Sequence, residues 1–334
     1  KSVVFRTGIN ADVGVPDIIA YSHGKISFYE IKPGGWYSDS DIIDQFLRKA
    51  QEKWIMENCL EKKIRLPSIK RVLMAGAPVS PALIEAFKKV IVNGEIHTPY
   101  GATESLPVCS ISGIRILEET MPKTNLGQGT CVGKSVSEME VRVIAISEGV
   151  ILRMDDAILL PVGEIGELVV KGPVVTKGYD QLEEATAKAK ITDGLSVWHR
   201  MGDIGYLDEE ENVWFCGRVA ERVQTKKGVL FTDPVEAMFN LQEGVFRSAL
   251  IGLGAAPQQI PAIVIQPEPG KWPDTKATES AWVKQLLDSV PMDSVAAQVK
   301  QVFFHKAFPV DVRHNAKIHR LTLAKEFSGK TSTR

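Results

Sequence analysis

The chain is short of cysteine, of long apolar runs and of surplus charge, and each shortage narrows what it can be. Cys59, Cys109, Cys131 and Cys216 are its 4 cysteines in 334 residues, and they show no paired metal-ligand spacing. Reduced thiols are therefore expected rather than a disulfide frame. No stretch approaches the roughly 18 apolar residues of a membrane-spanning helix. None of the first residues reads as a signal peptide, so a cytoplasmic location is expected. Forty basic residues against 41 acidic ones leave a net charge of −1, which removes any general attraction to nucleic acid or anionic membrane. Also missing upstream of residue 76 is a Gly/Ser/Thr-rich loop whose backbone amides would cradle phosphates.

What is present is ordinary globular composition. Hydrophobic residues at 44% and charged residues at 24% allow a sizeable core, and 18 Pro with 27 Gly do not suggest disorder. The length accommodates two or three domains of roughly 100–200 residues each. Residues 1–37 read as short strands and 39–60 as one helix, with Ile42, Ile43, Phe46, Leu47, Ala50, Trp54 and Ile55 at helical spacing. A strand over Ile69–Met74, a helix over Pro81–Val90 and a strand over Glu95–Thr98 follow in a βαβ rhythm that argues for a parallel sheet. From Gly127 to Tyr179 short strands dominate. Beyond Gly217 the pattern is that of a small α+β domain. The expected divisions are 1–60, 61–217 and 218–334.

Four polar clusters stand in order across more than 200 residues: Thr98-Pro-Tyr-Gly-Ala-Thr-Glu104, Arg200-Met-Gly-Asp203, Trp214-Phe-Cys-Gly-Arg218 and Arg313-His-Asn-Ala-Lys317. Triphosphate chemistry needs a carboxylate for Mg²⁺ and a hydroxyl for a phosphate oxygen on a tight turn. Gly101 permits such a turn beside Tyr100, Thr103 can donate to phosphate, and Glu104 can ligate the ion. Upstream, Ala75-Gly76-Ala77-Pro78 follows an apolar strand, where small residues would let an adenine ring lie against backbone. Asp203 offers two acceptor oxygens to the vicinal diol of a ribose. Arg218 can contact ribose or phosphate, and Lys317 can bring positive charge to the α-phosphate. Taken singly, each has an ordinary alternative: a solvated turn, a capping Asp, a surface ion pair, a solvent-facing lysine. Their order and spacing together set them apart.

In that arrangement residues 65–334 resemble the superfamily of acyl-CoA synthetases, adenylation domains and luciferases. Within it the likeness is closest to the olefin-biosynthesis β-lactone synthetases, on Leu66-Pro-Ser-Ile-Lys-Arg-Val-Leu-Met-Ala-Gly-Ala-Pro78, on the Thr98–Glu104 string, on His199-Arg-Met-Gly-Asp-Ile-Gly-Tyr206 and on Phe308-Pro-Val-Asp-Val-Arg-His-Asn-Ala-Lys-Ile318. The resemblance implies an α/β fold, with a partial large domain of parallel sheet plus β-rich subdomain and a small α+β C-terminal lid. It implies ATP and Mg²⁺ as cofactors, a 3-hydroxy fatty acid as substrate, an acyl-adenylate, and closure of a β-lactone by the acid's own hydroxyl. Other olefin-pathway enzymes are implied partners. Carried over, Thr103 and Glu104 face phosphate and Mg²⁺, Gly76, Ala77, Pro78, Tyr100 and Gly101 line the nucleotide, Asp203 and Arg218 meet the ribose, and Lys317 serves adenylation. Ala220 falls at the interdomain hinge, where relatives often carry Asp or Lys. Because the phosphate loop and most of the acyl pocket precede the adenine turn by hundreds of residues in that superfamily, the chain is expected to be truncated and impaired.

The first sixty residues carry a different likeness. If His23-Gly24 closes a hairpin, positions summing to 47 pair, so Asp17 lies opposite Glu30 and Lys32 shares their face. Two carboxylates for Mg²⁺ and a lysine for water resemble a PD-(D/E)xK nuclease core of the virus-type replication-repair kind, with Gln45 as a further candidate. Nucleic acid would be a partner only through that segment. Three accounts therefore stand: a truncated adenylating enzyme, a nuclease module with an appended partner, and a remnant that binds nucleotide without catalysis.

Overall fold

The computed structural model describes residues 59–74, 79–310 and 317–330, together with the backbone of four earlier strands. Those four, β1 (Val3–Arg6), β2 (Ile18–Ser22), β3 (Lys25–Lys32) and β4 (Gly35–Ser38), form one antiparallel sheet in sequence order. The β2/β3 register runs from Ile18↔Tyr29 to Ser22↔Lys25, so paired positions sum to 47 as the hairpin reading expects. Asp17 and Gln45 lie outside the described residues, as does most of the expected 39–60 helix. Glu30 and Lys32 are placed on β3 by backbone alone.

The large sheet begins at β5 (Arg71–Leu73), which pairs in parallel with β6 (Glu95–Ala102) across helix α1 (Pro81–Val90). Helix α1 starts where the sequence says it should. Ser80 caps it by accepting from Leu83 N, Pro81 occupies its first turn where no N–H is needed, and Lys88 and Lys89 face the negative end of the dipole. Ile84, Phe87 and Val90 lie on its buried face, packed with Leu66, Ile69, Val72 and Ile96.

The expected βαβ unit is present, with β5 and β6 parallel, and the β-rich part continues the same sheet beyond it. Thr103 and Glu104 form a tight turn that reverses the chain from β6 into β7 (Ser105–Ser112). From there the sheet is antiparallel, through β8 (Thr130–Ser135), β9 (Glu140–Ile144), β10 (Gly166–Lys171), β11 (Lys190–Asp193), β12 (Ser196–Leu207) and β13 (Val213–Arg218). The spatial order is β5-β6-β7-β8-β13-β12-β10-β9, with β11 paired to β12 and preceded by helix α2 (Glu183–Ala189). Parallel pairing in this sheet is confined to β5 and β6.

After β13 a short 3₁₀ turn over Val219–Glu221 leads into the hairpin β14 (Val223–Thr225) and β15 (Gly228–Leu230), then helix α3 (Thr232–Asn240). Strands β16 (Val245–Leu253), β17 (Ile260–Pro267) and β18 (Gln301–Phe304) form a three-stranded sheet, flanked by helices α4 (Lys276–Asp288) and α5 (Arg320–Phe327). Among the described residues, every buried apolar cluster draws from one side of Arg218 only. The contacts that cross are polar or local, as where Thr130 Oγ1 donates to Asp233 Oδ2 at 2.6 Å. All four cysteines are free and buried.

Two charged groups inside this frame have opposite consequences. Arg200 on β12, with its side chain 9% exposed, donates from Nε and Nη2 to Glu167 on β10 and reaches the carbonyls of Ser147, Gly149 and Lys188. It ties the β10 strand to the loop holding Ser147 and Gly149 and to the last turn of helix α2. Replacing Arg200 with Ala strands the Glu167 carboxylate and should cost roughly 3–5 kcal/mol in chemical denaturation; a loss below about 1 kcal/mol would show the pair to be dispensable. Asp233, by contrast, has its pKa raised to about 6, chiefly by burial and against the help of Thr130. A raised carboxyl contributes stability below the ordinary value of about 3.9 and loses it as pH climbs through the folded value. Asp233→Asn should therefore melt higher than the parent at pH 7.5, with the gap closing toward pH 4. Scanning calorimetry across that range is the measurement, and a lower melting point for the variant at pH 7.5 would contradict the sign.

Candidate functional site

The site is assembled at the crossing of the β6/β7 hairpin with β12 and β13. Gly101 is required there by space. A Cβ would run into the Ser105 carbonyl oxygen and the Leu106 side chain, so the hairpin closes this tightly only with glycine. The ladder shifts register between Tyr100 and Ala102 on the same account.

Tyr100 and Asp203, far apart in sequence, meet across this crossing. The Tyr100 hydroxyl donates to Asp203 Oδ2 at 2.6 Å, and Arg218 Nη1 stands 2.9 Å from Oδ1. Asp203 is inside β12, paired opposite Arg218 on β13, and not in a capping turn. Its side chain is 8% exposed while that of Arg218 is 44% exposed. Among the described residues Oδ1 is met by this Arg218 ion pair and by no other donor. Burial raises the Asp203 pKa, and Arg218, Tyr100 and Lys317 each pull it back. Lys317 is thus close enough to act electrostatically on Asp203; it is exposed, lies outside helix and strand, and sits just before the Val310↔Ile318 bridge.

Thr103 is exposed at the hairpin tip and Glu104 is half-buried beside it. The Tyr179 hydroxyl donates to Glu104 Oε1 at 2.9 Å, and Thr176 N donates to the Glu104 carbonyl at 2.9 Å. Burial alone would raise the Glu104 carboxyl, but its own backbone N–H, the Tyr179 hydroxyl and nearby His199 and Lys190 hold it below the usual range. It is therefore an anion at neutral pH. His199 on β12 is buried, donates from Nδ1 to the Ala189 carbonyl at 3.2 Å, and has its pKa pulled down to about 4, mainly by burial. With a carbonyl as partner, Nδ1 carries the proton.

Of the sequence-derived candidates, Tyr100, Gly101, Thr103, Glu104, Asp203, Arg218 and Lys317 come together here. Gly76, Ala77 and Pro78 lie outside the described residues. Ala220 is exposed in the turn that follows β13. Sequence reasoning missed Thr176, Tyr179, Lys190 and His199. Only His199 stood in a quoted string; Thr176 and Tyr179 come from one loop and Lys190 from a short strand, with no chemical signature.

Acceptor and anion both fit the groups this chemistry needs. Oδ1 of Asp203, met among the described residues only by Arg218, has acceptor capacity to spare for a hydroxyl such as that of a ribose. No group of three or more metal-ligating side chains occurs among the described residues, so a divalent ion would be held by Glu104 together with substrate oxygens, the usual habit of Mg²⁺.

The AMP-binding enzyme family matches residues 28–180, a span that begins within β3. The chain also superposes on the amide bond synthetase McbA from Marinactinospora thermotolerans with a TM-score of 0.65 at 21% identity, covering 85% of this chain and 51% of that one. The fold is that of the adenylate-forming enzymes. A second solved neighbour, the O-succinylbenzoate coenzyme A synthetase MenE of Bacillus subtilis in complex with AMP, matches with a TM-score of 0.59 at 22% identity over 81% of this chain and 49% of that one. Among curated proteins the chain is 43% identical over 265 residues to the olefin β-lactone synthetase of Stenotrophomonas maltophilia, covering 78% of this chain and 47% of the relative. The same-named protein of Xanthomonas campestris is 41% identical over 266 residues, again 78% and 47%. The chain spans about half the length of these relatives. Among the described residues no helix is long and apolar enough to cross a membrane.

Removing the Tyr100 hydroxyl while keeping the ring should expose how much the buried carboxylate depends on it. Tyr100→Phe is expected to lower stability at pH 7 by about 1–3 kcal/mol, the cost of depriving a buried charge of its donor. The loss should shrink as pH falls, because protonating Asp203 removes the charge; denaturant titrations at pH 7 and pH 4 check both parts.

Proposed function

We propose that this chain carries the ribose-binding face and lid of an ATP-dependent, AMP-forming enzyme that activates a fatty, 3-hydroxy acid as its acyl-adenylate and closes it to a β-lactone. The observation that carries the nucleotide reading is the Asp203 carboxylate, buried, braced by Tyr100 on Oδ2, and with Oδ1 met among the described residues only by the half-exposed Arg218. The choice of acid and of lactone product rests on the similarity to olefin β-lactone synthetases.

In this mechanism Asp203 accepts the ribose hydroxyls and Arg218 stays at the rim of the same pocket. Thr103 donates to a phosphate oxygen at the exposed hairpin tip. Glu104, kept anionic by its neighbours, holds Mg²⁺, which when bound supplies Lewis-acid neutralisation of phosphate charge. Lys317 approaches from the C-terminal segment on the Asp203 side and stabilises charge on the α-phosphate as the substrate carboxylate attacks phosphorus and pyrophosphate leaves. The substrate's 3-hydroxyl oxygen then attacks the activated carbonyl, its proton passing to solvent, and AMP departs with the electron pair of the broken acyl–oxygen bond. Rotation about the Val219–Glu221 turn, with Ala220 at its exposed middle, lets the lid exchange Lys317 for other contacts between the two steps.

The four-stranded antiparallel sheet at the front is a common arrangement and by itself carries no nuclease reading.

AMP titrated into the chain by calorimetry should bind, and Asp203→Ala should weaken it tenfold or more, because two hydroxyl donors lose a charged acceptor worth roughly 1.5–3 kcal/mol. Lys317→Ala should leave that affinity within about twofold while lowering pyrophosphate release from ATP with a 3-hydroxy fatty acid. Equal AMP affinity in parent and Asp203→Ala would remove the ribose assignment.

A further inference from the structure

Lys190 is a lysine in an unusual position. The residue is 8% exposed, yet among the described residues its ammonium makes one hydrogen bond, 3.1 Å to Thr176 Oγ1. Glu104 is near enough to act on it electrostatically but not to pair with it. Burying a cation with one of three donors satisfied costs stability, and folded proteins rarely keep such a residue without a use. Its stem lies at the end of helix α2, where a cation is mildly favoured by the helix dipole, but its tip is bonded to Thr176 rather than to the last carbonyls.

The position of Lys190 along the site says what it would meet. It pairs across β11/β12 with His199, four residues before Asp203 on the same strand. Four strand residues span about 13 Å, the scale of a triphosphate chain measured from its ribose. Asp203 marks the ribose end, and Glu104, which lies near both His199 and Lys190, marks the far end. Because Thr176 is exposed and bonded to the Lys190 tip, the ammonium reaches the rim of the site rather than the centre of the core.

We propose that Lys190 is a phosphate-binding residue, whose two spare N–H groups donate to the β- and γ-phosphate oxygens of the nucleotide on the far side of Glu104 from the ribose. The inference rests on the nucleotide reading above. In the adenylation step a carboxylate oxygen forms a bond to the α-phosphorus, the bond from that phosphorus to the bridging oxygen breaks, and the electron pair leaves on pyrophosphate. Lys190 stabilises the charge that collects there, and no proton need move. Neutral His199 beside it adds no competing cation.

The test compares the parent chain, Lys190→Met and Lys190→Arg for AMP, Mg·ATP and Mg·pyrophosphate binding by calorimetry, with melting temperature beside each. Lys190→Met should melt at or above the parent, because an apolar chain of similar length replaces an unpaired buried charge. It should bind AMP within twofold of the parent while losing tenfold or more in affinity for Mg·ATP and Mg·pyrophosphate, and Lys190→Arg should recover part of that loss. An unchanged preference for ATP over AMP in Lys190→Met overturns the assignment. So does a fall in melting temperature with equal loss of all three ligands, which would mark a structural lysine, and so does a parent that binds Mg·ATP no better than AMP. Failure of the parent to bind AMP, or AMP binding indifferent to Asp203→Ala, overturns the nucleotide reading itself and this inference with it.

Discussion

The site depends on one buried carboxylate. Asp203 sits in the middle of a strand, where burial makes its charge expensive, and the surrounding structure supplies partial compensation from three directions: the Tyr100 hydroxyl from β6, Arg218 from β13 and Lys317 from the C-terminal segment. Each comes from a different part of the chain. Holding that charge in place therefore requires the hairpin, the central strands and the C-terminal unit to be correctly disposed at once. Among the described residues one of its oxygens is met only by the half-exposed Arg218, which leaves acceptor capacity that a nucleotide hydroxyl can use.

The same economy recurs along the cleft. Glu104 is kept anionic by a hydroxyl and nearby positive charge, while Lys190 and His199 have their charged forms disfavoured by burial. A well-stabilised anion and two groups whose cationic forms are disfavoured thus stand close together. Structural ion pairs elsewhere look different. Arg200 with Glu167, and Arg320 with Glu236 and Glu221, are closed networks in which the donors and acceptors meet one another. The contrast between open and closed polar groups separates the site from the scaffold more sharply than residue type does.

The junction after β13 is also defined by what packs. Buried apolar clusters stop at Arg218, and the contacts that cross are single polar links or close backbone approaches, such as Thr130 with Asp233 and the fit of Gly127 against Met238. Interfaces of this kind can open without exposing a core. That is the physical condition for a lid to move, and the exposed turn at Ala220 lies where such motion would be absorbed.

Local signals in the sequence determined a good deal by themselves. The Ser80-Pro81 start of α1, the apolar periodicity of the C-terminal α+β unit and the β2/β3 register all follow from rules that act over a few residues, and the structure has them. The site motifs were legible because glycine, threonine and acids at fixed spacing have few purposes. What the sequence alone could not decide was direction and neighbourhood. Whether the strand after Glu104 runs parallel or antiparallel depends on a turn only two residues long, and its tightness depends on Ser105 and Leu106 crowding Gly101. That Asp203 lies within a strand, that Tyr100 braces it, and that Lys190 and Tyr179 belong to the same cleft are facts of long-range packing. A lysine reads as solvated charge until the fold buries it, and only tertiary structure determines which lysine that is.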